Sequence, residues 1–374
     1  MVDFDKFVVM REKFLKKLNI AIDKVIEEKD SMDLDYDLME KALGTMLRNV
    51  KSINTGPICI VTPIKKGEML KVTLDFFESI DPEFHRKAID VILQQAENIK
   101  MSIYNLHEVK DFSQEDEFGL LRYTRSGNVE GKNGYAAVHV PIRRELDSDE
   151  EKVLDKDECT LEDLYTIVHE LAHLLDLDLD LGRPDRAEIE GKQEERKDRI
   201  ARELLGEATA IAFEGLLSEY LLENGIYSRE AIQEINNLNM NSFLQDARLV
   251  YAKLLLAREK IKEGEVTLEF VEKFMRDNGF SIQYMRRMAS NIIDDPRDML
   301  YEKRYALGGL IAPTIIKKYK EEGVEPLKRY LKEVKKENFE GAMAALGIEL
   351  NEQGINQLVA NMRERASRMN PKER

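Results

Sequence analysis

Residues Thr160–Asp178 read TLEDLYTIVHELAHLLDLD. Two of the five histidines of the chain, His169 and His173, stand four apart here, with Glu170 directly after the first. Leu164, Ile167, Val168, Leu171, Ala172 and Leu175 surround them at the spacing of a helix with one buried face. On a helix, residues four apart lie one turn above each other. Both imidazoles can therefore point at one position about 2 Å away, the distance zinc takes from histidine. Glu170 sits about 100° round the helix. It can reach a water on the metal without being a ligand, which is the geometry of a general base. The same pattern also describes an ordinary amphipathic helix, so a third ligand decides the matter.

Catalytic zinc usually takes three protein ligands and keeps a fourth position open. No histidine follows His173, which leaves a carboxylate or one of His85, His107 and His139. The next buried helix, RELLGEATAIAFEGLLSEYL (Arg202–Leu221), carries Glu203, Glu207 and Glu214. At the helical period these three fall within about 40° of one another, on a stripe shared with Ala210 that otherwise faces inward. Carboxylates seldom go inside unless paired or on a metal. Ion pairs to Arg199 or Arg202 are the plainer alternative. On spacing alone, all three glutamates remain candidates.

Around these two helices the chain reads as mostly α. Apolar stripes of helical period run through Phe4–Glu28, Leu38–Val50, Phe84–Ile99, Ile200–Leu222, Arg229–Lys262 and Val324–Val334. Two places read as extended: PICIVTP (Pro57–Pro63), and YAAVHVP (Tyr135–Pro141) after the turn signal SGNVEGKNG. The expectation is a helical catalytic domain with a small β-sheet beside the histidine helix. Asp176–Arg199 is densely charged and reads as a solvated connection. A boundary near residue 65 would divide an N-terminal helical region, 1–64, from a catalytic domain, 65–374.

Composition narrows the function classes. The chain has 374 residues, 43% of them hydrophobic, enough for a sizeable core. A net charge of −15 argues against nucleic-acid binding, which depends on accumulated Lys and Arg. No apolar run is long enough to span a membrane, and the N-terminus does not read as a signal peptide. Two distant cysteines, Cys59 and Cys159, make no disulfide framework and suit a reducing, cytoplasmic setting.

Thr160–Asp176 resembles the active-site helix of the thimet oligopeptidase and oligoendopeptidase F family, the M3 zinc peptidases, in which Thr-Leu-x-Asp-Val leads into HExGH. Glu207–Glu214, EATAIAFE, is similar to the family's Glu-x-x-Ser-x-x-x-Glu, with Ala210 at the serine. The resemblance implies a zincin-like (gluzincin) fold with Zn2+ held by His169, His173 and Glu207. It makes Glu214 a carboxylate that orients a ligand. GYAAVHVP stands where the family has an edge strand that pairs with substrate backbone, which nominates Ala137 and His139 as substrate contacts. YEKRYALGGLIAPTIIKKY resembles the family's tyrosine-rich segment, so Tyr301 and Tyr305 are the candidate oxyanion donors beside Glu170. EPLKRYLKEVKKENFEGAMAALGIEL is similar to its C-terminal element, and the likeness extends over roughly residues 65–374.

The implied activity is a zinc-dependent metalloendopeptidase that cleaves peptides by Glu-assisted attack of water on the metal. Several features depart from the family. Ala172 replaces its glycine, the connection from His173 to Glu207 is longer, the chain is shorter, and no histidine precedes the tyrosines. That missing histidine favours an alternative, a catalytically weak zinc-binding relative that acts as a peptide-binding or regulatory protein. Arg297 is a conceivable substitute cation.

Overall fold

The computed structural model describes residues 4–30, 36–50, 63–92, 99–105, 127–130, 136–142, 158–175, 196–278, 303–336 and 338–369. In chain order the elements are α1 (Phe4–Asp30), α2 (Tyr36–Asn49), β1 (Pro63–Lys65), α3 (Lys66–Ile80), α4 (Pro82–Ile92), β2 (Ile99–Asn105), β3 (Gly127–Glu130) and β4 (Ala136–Ile142). There follow β5 (Glu158–Thr160), α5 (Leu161–Ala172), α6 (Arg196–Glu223), α7 (Arg229–Glu263), α8 (Leu268–Asn278), α9 (Lys303–Glu322), α10 (Val324–Lys335), α11 (Phe339–Ala345) and α12 (Glu352–Met369). The protein is mostly α. No helix among the described residues is long and apolar enough to cross a membrane.

The chain divides into two compact units, each discontinuous in sequence. Met1–Lys51 and Phe243–Ala306 form one, and Ser52–Ser242 with Leu307–Arg374 form the other. In the first, Asn19 on α1 exchanges hydrogen bonds with the backbone of Val266, at 3.0 and 2.9 Å. Gly44 on α2 accommodates the ring of Tyr251, which a Cβ there would meet at 2.9 Å.

The second unit holds the histidine helix. Its core is knitted by Phe213 of α6, which stacks on Phe77 of α3 at 5.7 Å and meets Phe76 and Phe84 edge-on. Such aromatic pairs contribute about 0.5–1.5 kcal/mol beyond their buried area, and here they fix α6 against α3 and α4. The buried Tyr330 of α10 donates its hydroxyl to the carbonyl of Leu205, 2.9 Å away, and ties α10 to the same helix.

Two small sheets accompany the helices. β1 and β5 pair antiparallel, with Pro63 opposite Thr160. β2, β4 and β3 form the other, in that order, and β4 lies alongside α5. β4 is therefore the central strand, not an edge. It runs parallel to β2 from Ala136 to Ile142 and antiparallel to β3 from Ala136 to His139.

The expected helical stripe from Phe84 to Ile99 ends at Ile92, and Ile99 opens β2. The alternation of Ile99, Met101 and Ile103 is a period-two signal that the longer window hid. Gly127–Glu130, inside the run read as a turn, forms β3 because its backbone completes the ladder of β4. The helix α6 starts at Arg196, so the charged connection stops short of Arg199. Residues 57–62, Tyr135 and 176–195 lie outside the described residues.

Candidate metal centre

The histidine helix is anchored at both ends. Thr160 closes β5 and caps α5 in a reciprocal box: its hydroxyl accepts from the Asp163 N–H, while Asp163 Oδ2 accepts from the Thr160 N–H at 2.6 Å. At the other end, Lys87 of α4 donates to the carbonyl of Leu175 at 2.7 Å, satisfying a group the helix leaves open. His173 follows the last helical residue but keeps helical dihedrals, φ −62° and ψ −15°, so the one-turn relation to His169 survives.

His169, His173 and Glu207 come together. Their facing atoms are His169 Nε2 and His173 Nε2 at 3.2 Å, His169 Nε2 and Glu207 Oε2 at 3.4 Å, and His173 Nε2 and Glu207 Oε2 at 3.9 Å. Ligands about 2.0–2.1 Å from a tetrahedral metal stand about 3.3–3.4 Å apart. Two edges of the triangle lie close to that spacing and the third, at 3.9 Å, exceeds it by about half an ångström. The donor set fits a divalent metal ion.

The second nitrogen of His169 is also committed. Its Nδ1–H donates to Glu214 Oε1 at 2.6 Å, which leaves Nε2 as the metal-facing nitrogen. Glu214 is held in turn by Asn239, whose Nδ2 donates to Oε2 at 2.8 Å. Burial disfavours a charged His169 ring, yet the hydrogen bonds and charges of Glu207 and Glu214 outweigh it and hold its pKa well above the ordinary value. Glu170 is buried, only 4% exposed, on the same helix.

Several supporting residues carry no motif. Gly206 faces the His173 ring, and a Cβ there would just touch it, 3.4 Å from Nδ1. Gly308 of α9 lies so close to α6 that a Cβ would stand 3.0 Å from the Ala208 nitrogen and 3.2 Å from the Glu207 carbonyl carbon. Behind Glu214, Ser218 bonds its carbonyl oxygen at 3.0 Å, the hydroxyl of Tyr165 at 2.8 Å and Asn236 Oδ1 at 2.8 Å. Burial pushes the Tyr165 phenol well above its ordinary pKa, so it stays neutral. The only sequence signal for these was a glycine within a helical pattern, which marks close approach without saying to what.

The fold is similar to that of a candidate peptidase from Chlamydophila abortus. That crystal structure matches with a TM-score of 0.59 at 12% identity, over 98% of this chain and 63% of that one. This chain thus spans under two thirds of that protein's length, and the likeness concerns the fold. No family model and no curated protein matches the sequence.

The remaining sequence candidates are distributed as follows. Ala137 and His139 lie on β4, where Ala137 faces Lys100 and Val129 across the ladders and His139 faces Ser102 and Gly127. With partners on both sides, their backbone cannot act as the free edge that the family resemblance implied. Tyr305 lies in the first turns of α9, half-buried, one turn before Gly308. His85 is on α4, outside the group of three. Tyr301, Arg297 and His107, together with the side chain of Glu203, lie outside the described residues.

Proposed function

We propose that the chain is a zinc metalloendopeptidase of the M3 kind, similar to thimet oligopeptidase and oligoendopeptidase F. The observation that carries this reading is the His169–His173–Glu207 triangle, with Glu214 on the far nitrogen of His169; Glu170, next to His169 in the chain, is buried. Two imidazoles and a carboxylate suit zinc with an open position. When bound, the metal supplies Lewis acidity to a water and to the scissile carbonyl.

The residues of the chain do the rest. Glu170 takes a proton from the attacking water and passes it to the leaving amine. Glu214 keeps His169 in the tautomer and orientation that present Nε2. Tyr301 or Tyr305 is assigned as the oxyanion donor, on the resemblance of their segment to the family's tyrosine-rich one. The substrate is a peptide, taken up in the cytoplasm. Binding by strand addition would use the outer edges of β2 and β3 rather than Ala137 and His139.

The test is metal content and peptide cleavage by protein purified without added zinc. Near-stoichiometric zinc is expected, lost on His169→Ala. Glu170→Gln is expected to keep the metal and lose about 10²–10⁴-fold in kcat. Zinc-loaded wild type that is as inert as Glu170→Gln on a broad peptide library would replace this reading with a zinc-dependent peptide-binding protein.

A further inference from the structure

Three helices are joined beside His169 in two matching rungs. Tyr165 and His169 stand one turn apart on α5, and Glu214 and Ser218 one turn apart on α6. The Tyr165 hydroxyl lies 2.8 Å from Ser218 Oγ, and His169 Nδ1 lies 2.6 Å from Glu214 Oε1. Two asparagines of α7 close the rungs. Asn236 Oδ1 accepts from the Ser218 hydroxyl at 2.8 Å, and Asn239 Nδ2 donates to Glu214 Oε2 at 2.8 Å. All of these residues belong to the second unit.

The α7 end of the second rung is the unexpected part. Asn236, Asn237, Asn239 and Asn241 crowd into one stretch of a 35-residue helix, although asparagine is a poor helix former. Asn239 is exposed, and among the described residues its side chain bonds only to Glu214. Neither helix propensity nor burial accounts for it. What it does is fix a rotor. The Glu214 side chain is only 17% exposed, and a carboxylate turns broadly about its last bond unless both oxygens are held. With Oε2 on Asn239, Oε1 is presented to the His169 Nδ1–H, and the ring in turn presents Nε2 to the triangle. A neutral amide also leaves the carboxylate its full charge, which a lysine or arginine would share.

We propose that Asn239 is a positioning residue for His169, acting through Glu214: from α7 it holds the carboxylate that orients the ring. That the oriented ring is a zinc ligand rests on the reading proposed above; the orientation itself does not.

The experiment compares wild type, Asn239→Ala, Glu214→Ala and the double variant of the full chain. In metal-free protein carrying isotope-labelled histidine, exchange of the His169 Nδ1 proton with water is followed by NMR. Asn239→Ala should speed that exchange at least about threefold, because a loosened acceptor opens more often. Zinc affinity, read by competition with a chelating dye, should fall at least about threefold, less than for Glu214→Ala, one step nearer the metal. In the Glu214→Ala background the same substitution should change affinity by no more than about 1.5-fold, because the group it acts through is gone. A role in the fold alone would lower Tm equally in both backgrounds and leave the ring proton unmoved. The proposal is overturned by unchanged proton exchange in Asn239→Ala, by zinc affinity equal to wild type, or by the same loss with and without Glu214. Faster exchange in Asn239→Ala, in a chain that takes up no zinc, would sink the metal reading and still support Asn239 as the residue that orients the ring.

Discussion

A proton and a metal ion compete for the ring of His169. In the metal-free protein burial works against a charged ring, but Glu207 and Glu214 outweigh it and hold its pKa well above the ordinary value of 6.5, which favours the protonated ring. A metal needs Nε2 neutral, and its binding expels that proton. Zinc affinity should therefore fall as pH is lowered and level off only above the raised pKa. By the same sign, charged His169 stabilises the metal-free fold below its ordinary pKa, and this contribution is lost as pH rises through the raised one. Calorimetry at pH 7 in two buffers of different ionisation enthalpy should show net proton release on zinc binding; none would contradict the assignment. Glu214→Ala should cost about 10–100-fold in zinc affinity, read by competition with a chelating dye. At this scale the sequence was most legible. His169, Glu170 and His173 declare themselves by spacing, because helix geometry alone puts the two rings on one face. Gly308 does not, since its role is the absence of a Cβ beside backbone atoms of Ala208 and Glu207 that only the fold brings there.

The elements that carry the site are stabilised by different means, and substitutions should separate them. Thr160→Ala removes the side-chain acceptor at the start of α5 and should cost about 1 kcal/mol, seen as a lower Tm. His169 sits in the last turn of that helix and His173 directly after it, while Glu207 is on α6, so zinc affinity should change less than threefold. Gly308→Ala acts the other way. Its new Cβ would meet backbone atoms of Ala208 and Glu207 at 3.0 and 3.2 Å, and a helix backbone cannot yield as a flexible side chain does. Overpacking of this kind costs about 1–3 kcal/mol. Because the displaced residue is Glu207 itself, zinc affinity should fall together with Tm. An affinity equal to wild type would show that α9 does not set the position of the ligand. The long helices were readable from their 3.6-residue period. The sheet was less so: β4 was visible as an apolar strand, but its place at the centre depends on β2, which ends at Asn105, and on β3, which is only four residues long and lies within a run that reads as a turn.

On the scale of the whole chain, a linear boundary near residue 65 could not anticipate units assembled from separated segments. The bonds that define the smaller unit join residues such as Asn19 and Val266, 247 positions apart, and no local pattern encodes such a pairing. This organisation yields a test that the site residues cannot provide. Asn19 accepts from the Val266 N–H and donates to its carbonyl, and Val266 is only 2% exposed. Removing the amide in Asn19→Ala strands two buried backbone groups, each of which costs about 1–3 kcal/mol when left unsatisfied. Unfolding by urea should begin at a lower midpoint for this variant. The three metal ligands all belong to the other unit, and effects at sites without shared partners are additive within a few tenths of a kcal/mol. Zinc affinity measured in the absence of urea should therefore stay within about twofold of wild type, since 0.4 kcal/mol corresponds to that ratio. A tenfold loss would contradict that additivity.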